Sequence, residues 1–435
     1  MQITDHVPFS HPWPEAALKI VADILVGGTP STLVPSFWGG DIRWMSSGDV
    51  HLKQIYDVPG RITNEGLRRS NAKLVDPPAV AIALAGQGKT RGTAAVTRVT
   101  VCTNQSVALV KSRNEELDIE YLFHNLEFRY EELRARSAGG GRAGLSKSII
   151  EALPIPLPEP IEQGTIALIL NVIDDTIGKT ERLILKLAQI KQGLAQDLLT
   201  RGIDENGVVR SERTHKVRDS HLGRFPQEWR ISSLGEALDG IDAGKSPDYP
   251  DRSAPPGEWG VLKVSAIRPE GFRPQENKWV TKAIHQNRKF EVRNGDLLIS
   301  RANTYELVGL VCLVCNAPPR LLLCDKTLRL CLKPSRGSSA FFALVLQTRM
   351  VRQQIEVNAT GTSGSMKNIS QHAIRSLRLA YPDIKEQNRI LAVIAPMDAE
   401  LDSLSRERAK LVALKHGLMA DLLTGKVRVN HLIKH

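Results

Sequence analysis

What the chain lacks narrows it first. A membrane-spanning helix needs about 20 apolar residues, and the longest apolar run here, 307–315 ("LVGLVCLVC"), is less than half that. The opening "MQITDH" has no basic segment followed by an apolar one, so no signal peptide is expected, and the expectation is a soluble, cytoplasmic protein. Cysteine is scarce: five in 435 residues, an odd number without framework spacing, as in a reducing compartment. Cys312 and Cys315 form a C-x-x-C, with Cys324 and Cys331 following. A zinc knuckle needs a turn between its first two ligands, whereas Leu313 and Val314 read as strand, where positions three apart face opposite ways. Buried, unligated thiols are expected, and no metal site. The histidines are scattered without a pair at ligand spacing, and no Ser-His-Asp set stands out.

Two stretches imitate catalytic motifs. Residues 83–90, "ALAGQGKT", fit a permissive phosphate-binding loop, but such a loop joins a strand to a helix. The segment after Thr90, "RGTAAVTRVTVCTN", is β-branched and Gly-broken, so a strand is expected there and ATP binding is not. Lys89 and Arg91 among glycines suit contacts to a phosphate backbone or to guanine instead. The "DPPA" at 76–79 resembles an amino-methyltransferase motif, but Ala79 cannot stack on a flipped base, and no Gly-rich cofactor loop lies near. A turn before a strand is the expectation, and no catalytic residue is assigned.

Basic charge is plentiful. Lys and Arg number 58 against 47 Asp and Glu, a net charge of +11, which favours a polyanionic partner. Apolar residues make up 42%, enough for real cores.

An internal repeat organises the chain. "LPIPLPEPIEQGTIALILNVIDD" from Leu153 matches "LRLAYPDIKEQNRILAVIAPMDA" from Leu377, 224 residues later, and the match continues without a gap through "KQGLAQDLLT" and "KHGLMADLLT". Glu162, Gln163, Asp174, Arg182, Lys186, Gly193 and Asp197 recur as Glu386, Gln387, Asp398, Arg406, Lys410, Gly417 and Asp421.

Each copy reads as one helix of about forty residues, roughly 60 Å at 1.5 Å per residue. Pro160 suits a first turn, Asp383 with Glu386 has capping-box spacing, and Gly202 and Gly425 fit C-terminal stops. Positions Ile166, Leu170, Ile173, Ile177, Thr180, Ile184, Leu187, Lys191, Leu194 and Leu198 step by four and three. So do Ile390, Ile394, Met397, Leu401, Leu404, Arg408, Leu411, Lys415, Leu418 and Leu422. That spacing is a coiled-coil seam, and antiparallel pairing is favoured because it gives the two halves a pseudo-two-fold relation. The polar breaks at Thr180, Lys191, Arg408 and Lys415 either fix the register or snorkel out of a tolerant seam. Pro396 is expected to kink the second helix.

A variable region of about 150 residues precedes each helix, with short β-rich runs between Gly, Pro and Asn. The loose parallels between them include Thr29-Pro30 with Ser246-Pro247, and "CTNQSVALV" with "CDKTLRLCL". The expected fold class is α+β: two β-rich globular domains joined by two long helices in an antiparallel coiled coil. The expected segments are 1–157, the first helix 158–203, a connector and second domain 204–381, and the second helix and tail 382–435.

This layout resembles the specificity subunit of type I restriction-modification systems, through the recurring "EQ…D…K…GL…DLLT" helices with "WGGDIRW", "GQGKTRG", "TNQ" and "FPQEW". The resemblance implies that each domain reads one half of a bipartite, asymmetric duplex DNA site through the major groove, the helices setting the spacer. It also implies two methyltransferase subunits docked on the helices, and restriction/translocase subunits beyond them. S-adenosylmethionine, ATP and Mg would then sit on those partners, with no cofactor on this chain and no membrane contact. The expected DNA contacts are Trp44, Ser46, Gln87, Lys89, Thr90, Arg91 and Asn104 in the first domain. In the second they are Lys263, Ser265, Arg301, Asn303, Thr304 and Lys326. Arg142, Lys147, Ser365 and Lys367 are expected to hold phosphates. Two rivals remain open: a related system with a fused restriction-methylation partner, and a scaffold that does not read sequence.

Overall fold

The computed structural model describes residues 12–86, 88–136, 144–211, 213, 215–269, 271–361, 366–429 and 432; the expected contacts Gln87, Arg142 and Ser365 lie outside the described residues. The chain forms two compact units, Met1–Leu183 with Leu404–His435, and Ile184–Ser403. Each unit therefore combines one variable domain with a stretch of both long helices, so chain order and compact units cut the molecule differently.

The first unit is built on a five-stranded sheet in the order Ala22–Val26, Val107–Ser112, Ala79–Ala83, Ala94–Thr97, Gln54–Ile55, antiparallel except for the last, parallel pair. Both faces are covered, so alternate side chains enter different cores. Val80, Ile82, Val96, Ala108 and Val110 join the helix Ile119–Phe128. Ala79, Ala81, Ala83, Ala95, Val107 and Leu109 pack with Met45, Val50 and Ile55 on the other face. Two-sided burial explains why "AVAIA" is apolar throughout instead of alternating.

The second unit repeats this plan. Its sheet runs Leu238–Ala243, Thr327–Leu332, Leu297–Ser300, Val311–Leu313, antiparallel throughout and in the order of the first unit's first four strands. Leu297, Ile299, Leu328 and Leu330 face one core, and Leu298 and Cys312 the other. Cys312, Cys324 and Cys102 are buried, and burial pushes the Cys312 thiol up to about 12 and that of Cys102 to about 11. Cys315 is exposed, contrary to expectation: the strand ends at Leu313, so the chain has turned outward by then.

The long helices span Pro160–Arg201 and Ile384–Leu422. Of the expected seam positions all but Arg408 are buried or half-buried, while most of their helical neighbours are exposed. The pairing is antiparallel. In the first unit Lys415 Nζ donates to Asp174 at 2.7 Å, and seven residues further along the first helix Glu181 accepts from Arg408, seven residues back on the second, at 2.6 Å. In the second unit Lys191 donates to Asp398. Asp174–Lys415 and Asp398–Lys191 are one ion pair written twice, each made of the repeat counterparts of the other. The polar breaks Lys191, Arg408 and Lys415 thus reach specific carboxylates on the opposite helix, and the buried Thr180 hydroxyl donates to the Thr176 carbonyl at 2.9 Å. The second helix runs through Pro396, whose side chain is exposed.

The repeated Glu-Gln pairs close each unit. Glu162, almost fully buried, accepts from Arg428 Nε and Nη2, both at 2.8 Å, and from Trp13 Nε1 at 3.2 Å. Glu386 accepts from Arg210, from the Ile203 amide at 2.9 Å and from Trp229 Nε1 at 3.3 Å. Gln163 Nε2 donates to the Pro158 carbonyl at 2.9 Å and Gln387 Nε2 to that of Pro382 at 3.0 Å. The expected capping box is therefore only half made. Asp383 accepts from the Glu386 amide at 2.9 Å, but the Glu386 carboxylate is drawn away to the Arg210 guanidinium, a stronger, charged donor. Gly202 (φ +73°) and Gly425 (φ +69°) take the left-handed conformation just past the helix ends.

Candidate nucleic-acid interface

Residues 84–93 join the antiparallel strands Ala79–Ala83 and Ala94–Thr97. Among the described residues no helix follows the glycines, the chain continuing as the strand Ala94–Thr97, so the phosphate-binding-loop geometry is missing. The loop is instead tied down through its backbone: Tyr130 Oη donates to the Lys89 carbonyl at 2.8 Å, and Arg134 Nη1 to that of Gly88 at 2.7 Å. The Lys89 side chain is exposed, and Thr90 Oγ1 is 3.0 Å from His51 Nε2. Arg91 is half-buried beside it.

Other expected contacts in this unit have internal work. Trp44 Nε1 donates to the Gly28 carbonyl at 3.0 Å, and its ring meets Trp38 edge-on at 5.1 Å. Ser46 Oγ donates to Asp49 Oδ2 at 2.8 Å in a capping box. Asn104 Oδ1 accepts from the Ser106 amide at 3.0 Å, shaping the turn before Val107–Ser112. Lys147 opens a short helix and lies 3.4 Å from Glu151.

In the second unit Arg301, Asn303, Lys326 and Lys367 come together. The Arg301 amide donates to the Lys326 carbonyl at 2.8 Å, and Asn303 pairs with Lys367 on adjoining short strands. Lys367 Nζ donates to the Gly361 carbonyl at 2.6 Å. Thr304 lies at the next turn, its amide donating to Asn303 Oδ1 at 2.9 Å. Lys263 and Ser265 sit apart from this group, with Lys263 Nζ 2.5 Å from Asp251 and Ser265 Oγ 2.5 Å from Glu276.

The structure also assembles a polar cleft that motif reading passed over. Gly27, Gly28, Thr29, Arg68, Arg69, Ser70, Asn71 and Gln105 line an open cavity of about 690 Å³. Arg68, Arg69, Asn71 and Gln105 are exposed, and Thr29 Oγ1 donates to Gln105 Oε1 at 2.7 Å. In the second unit Ser246 Oγ donates to Asp325 Oδ1 between the corresponding loops. The Thr-Pro/Ser-Pro parallel pointed here, but setting "CTNQSVALV" beside "CDKTLRLCL" matched Gln105 to Thr327, whereas strand pairing makes Asp325 its counterpart, two residues earlier.

One half-buried acidic pair, Glu127 with Asp174, is neutralised. Among the described residues one group has ligand-like spacing, His124 with Glu127 and Asp174. The Lys415 ammonium bonds both carboxylates, and Lys53 also reaches Glu127. Burial would raise the Glu127 pKa, but Lys415 and Lys53 override it and hold it below the usual carboxylate range. Burial also pushes His124 below its ordinary value, and the Lys415 charge adds to this against the hydrogen bond to Asn171.

The family model for the type I restriction modification DNA specificity domain matches residues 11–189. The chain is 31% identical over 202 residues to the EcoEI specificity subunit of Escherichia coli, covering 46% of this chain and 34% of that one. It is 22% identical over 433 residues to the MjaIX specificity subunit of Methanocaldococcus jannaschii, covering 97% of this chain and 94% of that one. Over these spans the chain is similar to the specificity subunits of type I restriction-modification systems. The first alignment spans about a third of the EcoEI subunit's length, and the second nearly all of the MjaIX subunit. The fold agrees with that of the type I restriction-modification S subunit from M. genitalium, with a TM-score of 0.58, 14% identity, and coverage of 97% of this chain and 98% of that one. The loops bearing Thr29 and Gln105, and Ser246 and Asp325, leave the ends of the sheets in the two units.

Proposed function

We propose that this chain reads DNA for a type I restriction-modification enzyme, each unit recognising one half of a bipartite, asymmetric site through the major groove. The paired helices set the spacer and dock two methyltransferase subunits. The chain supplies the address and no chemistry: S-adenosylmethionine belongs to the methyltransferase partners, and ATP with Mg to restriction/translocase subunits, all in the cytoplasm. Among the described residues no helix is long and apolar enough to cross a membrane.

One observation carries the reading. The same sheet is built twice, and the loops at its equivalent ends carry different polar side chains. A repeated frame with varied loops suits two readers of different sequences, since phosphate contacts position a protein while base-edge contacts specify. The net charge of +11 supplies the sequence-independent attraction.

The test is selection from a randomised DNA pool by the chain purified with its methyltransferase subunit. Two short motifs at a fixed separation are expected. Retained DNA with no motif, at a salt where binding persists, would replace this reading with a scaffold that does not read sequence.

A further inference from the structure

In each domain two neighbouring antiparallel strands run to the same end of the sheet and release two loops. In the first, the ladder ends at Val26 paired with Ala108, and Thr29 and Gln105 lie three residues further out on either side. In the second, it ends at Ala243 paired with Leu328, and Ser246 and Asp325 again lie three residues further out. The close approach beneath them is also the same. A Cβ on Gly27 would come within 1.9 Å of the Thr103 carbonyl oxygen, and a Cβ on Gly244 within 1.9 Å of that of Leu323. Thr103 and Leu323 each stand two residues before Gln105 and Asp325. The hydroxyl of Thr29 or Ser246 then donates to the side chain opposite, leaving the rest of that side chain exposed. One geometric position is thus built twice, filled by an amide in one domain and a carboxylate in the other.

We infer that Gln105 and Asp325 are equivalent base-reading side chains, Gln105 directed to the N6/N7 edge of an adenine and Asp325 to the N4 amino group of a cytosine. This rests on the proposed DNA-reading function and names the side chains that carry its specificity. An amide offers a donor and an acceptor side by side, the complement of adenine's major-groove edge, whereas a carboxylate only accepts, which suits cytosine's amino group. The surroundings agree. Gln105 shares its cleft with Arg68 and Arg69, and Asp325 adjoins Lys326, with Lys245 beside Ser246. Basic side chains can anchor the phosphates there, while a carboxylate gains nothing from a phosphate and must face a base edge. The hydroxyl partner fixes the side-chain rotamer before DNA arrives, lowering the ordering cost of a bidentate contact.

The experiment is randomised-pool selection with the full chain in complex with its methyltransferase subunit, comparing wild type with Gln105→Ala and Asp325→Asn. Asn keeps the shape of Asp and its acceptor for Ser246 but adds a donor. Gln105→Ala should lose discrimination at one base pair of one half-site by on the order of 10- to 100-fold. Asp325→Asn should change the preferred base at one pair of the other half, from cytosine toward adenine, with the remaining positions unchanged. If the wild type selects a bipartite motif and both variants select the same one with the same discrimination, the inference is wrong and the DNA-reading function stands. Uniform weakening at every position would assign these side chains to loop structure and also overturn it. Absence of any motif in the wild type would overturn the DNA-reading function itself.

Discussion

Replacing Glu386 by Gln perturbs the clamp that ties the end of the first long helix to the start of the second. The Glu386 and Arg210 side chains are 5% and 12% exposed, so the variant leaves a guanidinium largely out of water without its counter-charge. Breaking one partner of a buried pair costs about 3–5 kcal/mol. Gln keeps one acceptor oxygen for the Ile203 amide or Trp229 Nε1, which brings the expected loss to about 2–4 kcal/mol. For a unit of this size that corresponds to a fall in melting temperature of roughly 5–15 °C. Glu181→Gln is the internal comparison: its partner Arg408 is 48% exposed and Glu181 itself 44%, so under about 1 kcal/mol is expected. Urea unfolding of the full chain, followed by Trp fluorescence, measures both, since the Trp229 indole is part of the clamp. Arg210→Met combined with Glu386→Met should recover much of the loss, because no buried charge is then left alone. A Glu386→Gln variant no less stable than Glu181→Gln would refute the assignment of the clamp as a stabilising element.

The other predictions concern DNA, protons and the helix interior. Alanine at Lys89 and Arg91 should weaken DNA binding and lower the slope of log affinity against log salt by about 1 for each phosphate no longer neutralised; unchanged affinity in a salt titration would remove this loop from the interface. His124 is held neutral by burial, with its folded pKa below the unfolded value near 6.5. Stability should therefore be complete above about pH 6.5 and decline as pH falls below it, because the unfolded imidazole takes up the proton first. His124→Gln should flatten that decline in denaturation curves measured between pH 5 and 7, leaving the acid limb from Glu127 at lower pH. Pro396→Ala restores an amide donor in an exposed helix interior and should stabilise the chain by about 1–3 kcal/mol; a drop in stability would mean that the packing of Ile394 and Met397 depends on the proline.

The sequence by itself determined the repeat, the two long helices and their seam. Periodicity and capping are local, and the 224-residue offset needs no coordinates to find. It also excluded the phosphate-binding loop, because β-branched residues after Thr90 already announce a strand. Antiparallel pairing was favoured on symmetry alone; the ion pairs Asp174–Lys415 and Lys191–Asp398 show it. What only the tertiary structure decided lies in contacts distant along the chain. Glu386 has capping-box spacing, yet its carboxylate leaves for Arg210, 176 residues away, because a buried guanidinium outcompetes a local amide. Trp44 and Ser46 look available in the sequence, but their donors are used on Gly28 and Asp49. The parallel of "CTNQSVALV" with "CDKTLRLCL" set Gln105 against Thr327, and only strand register put Gln105 and Asp325 each opposite a hydroxyl at the same place in its sheet. A strand's register is fixed by the pairing of distant segments and by which face each residue buries, so no single stretch of sequence contains it.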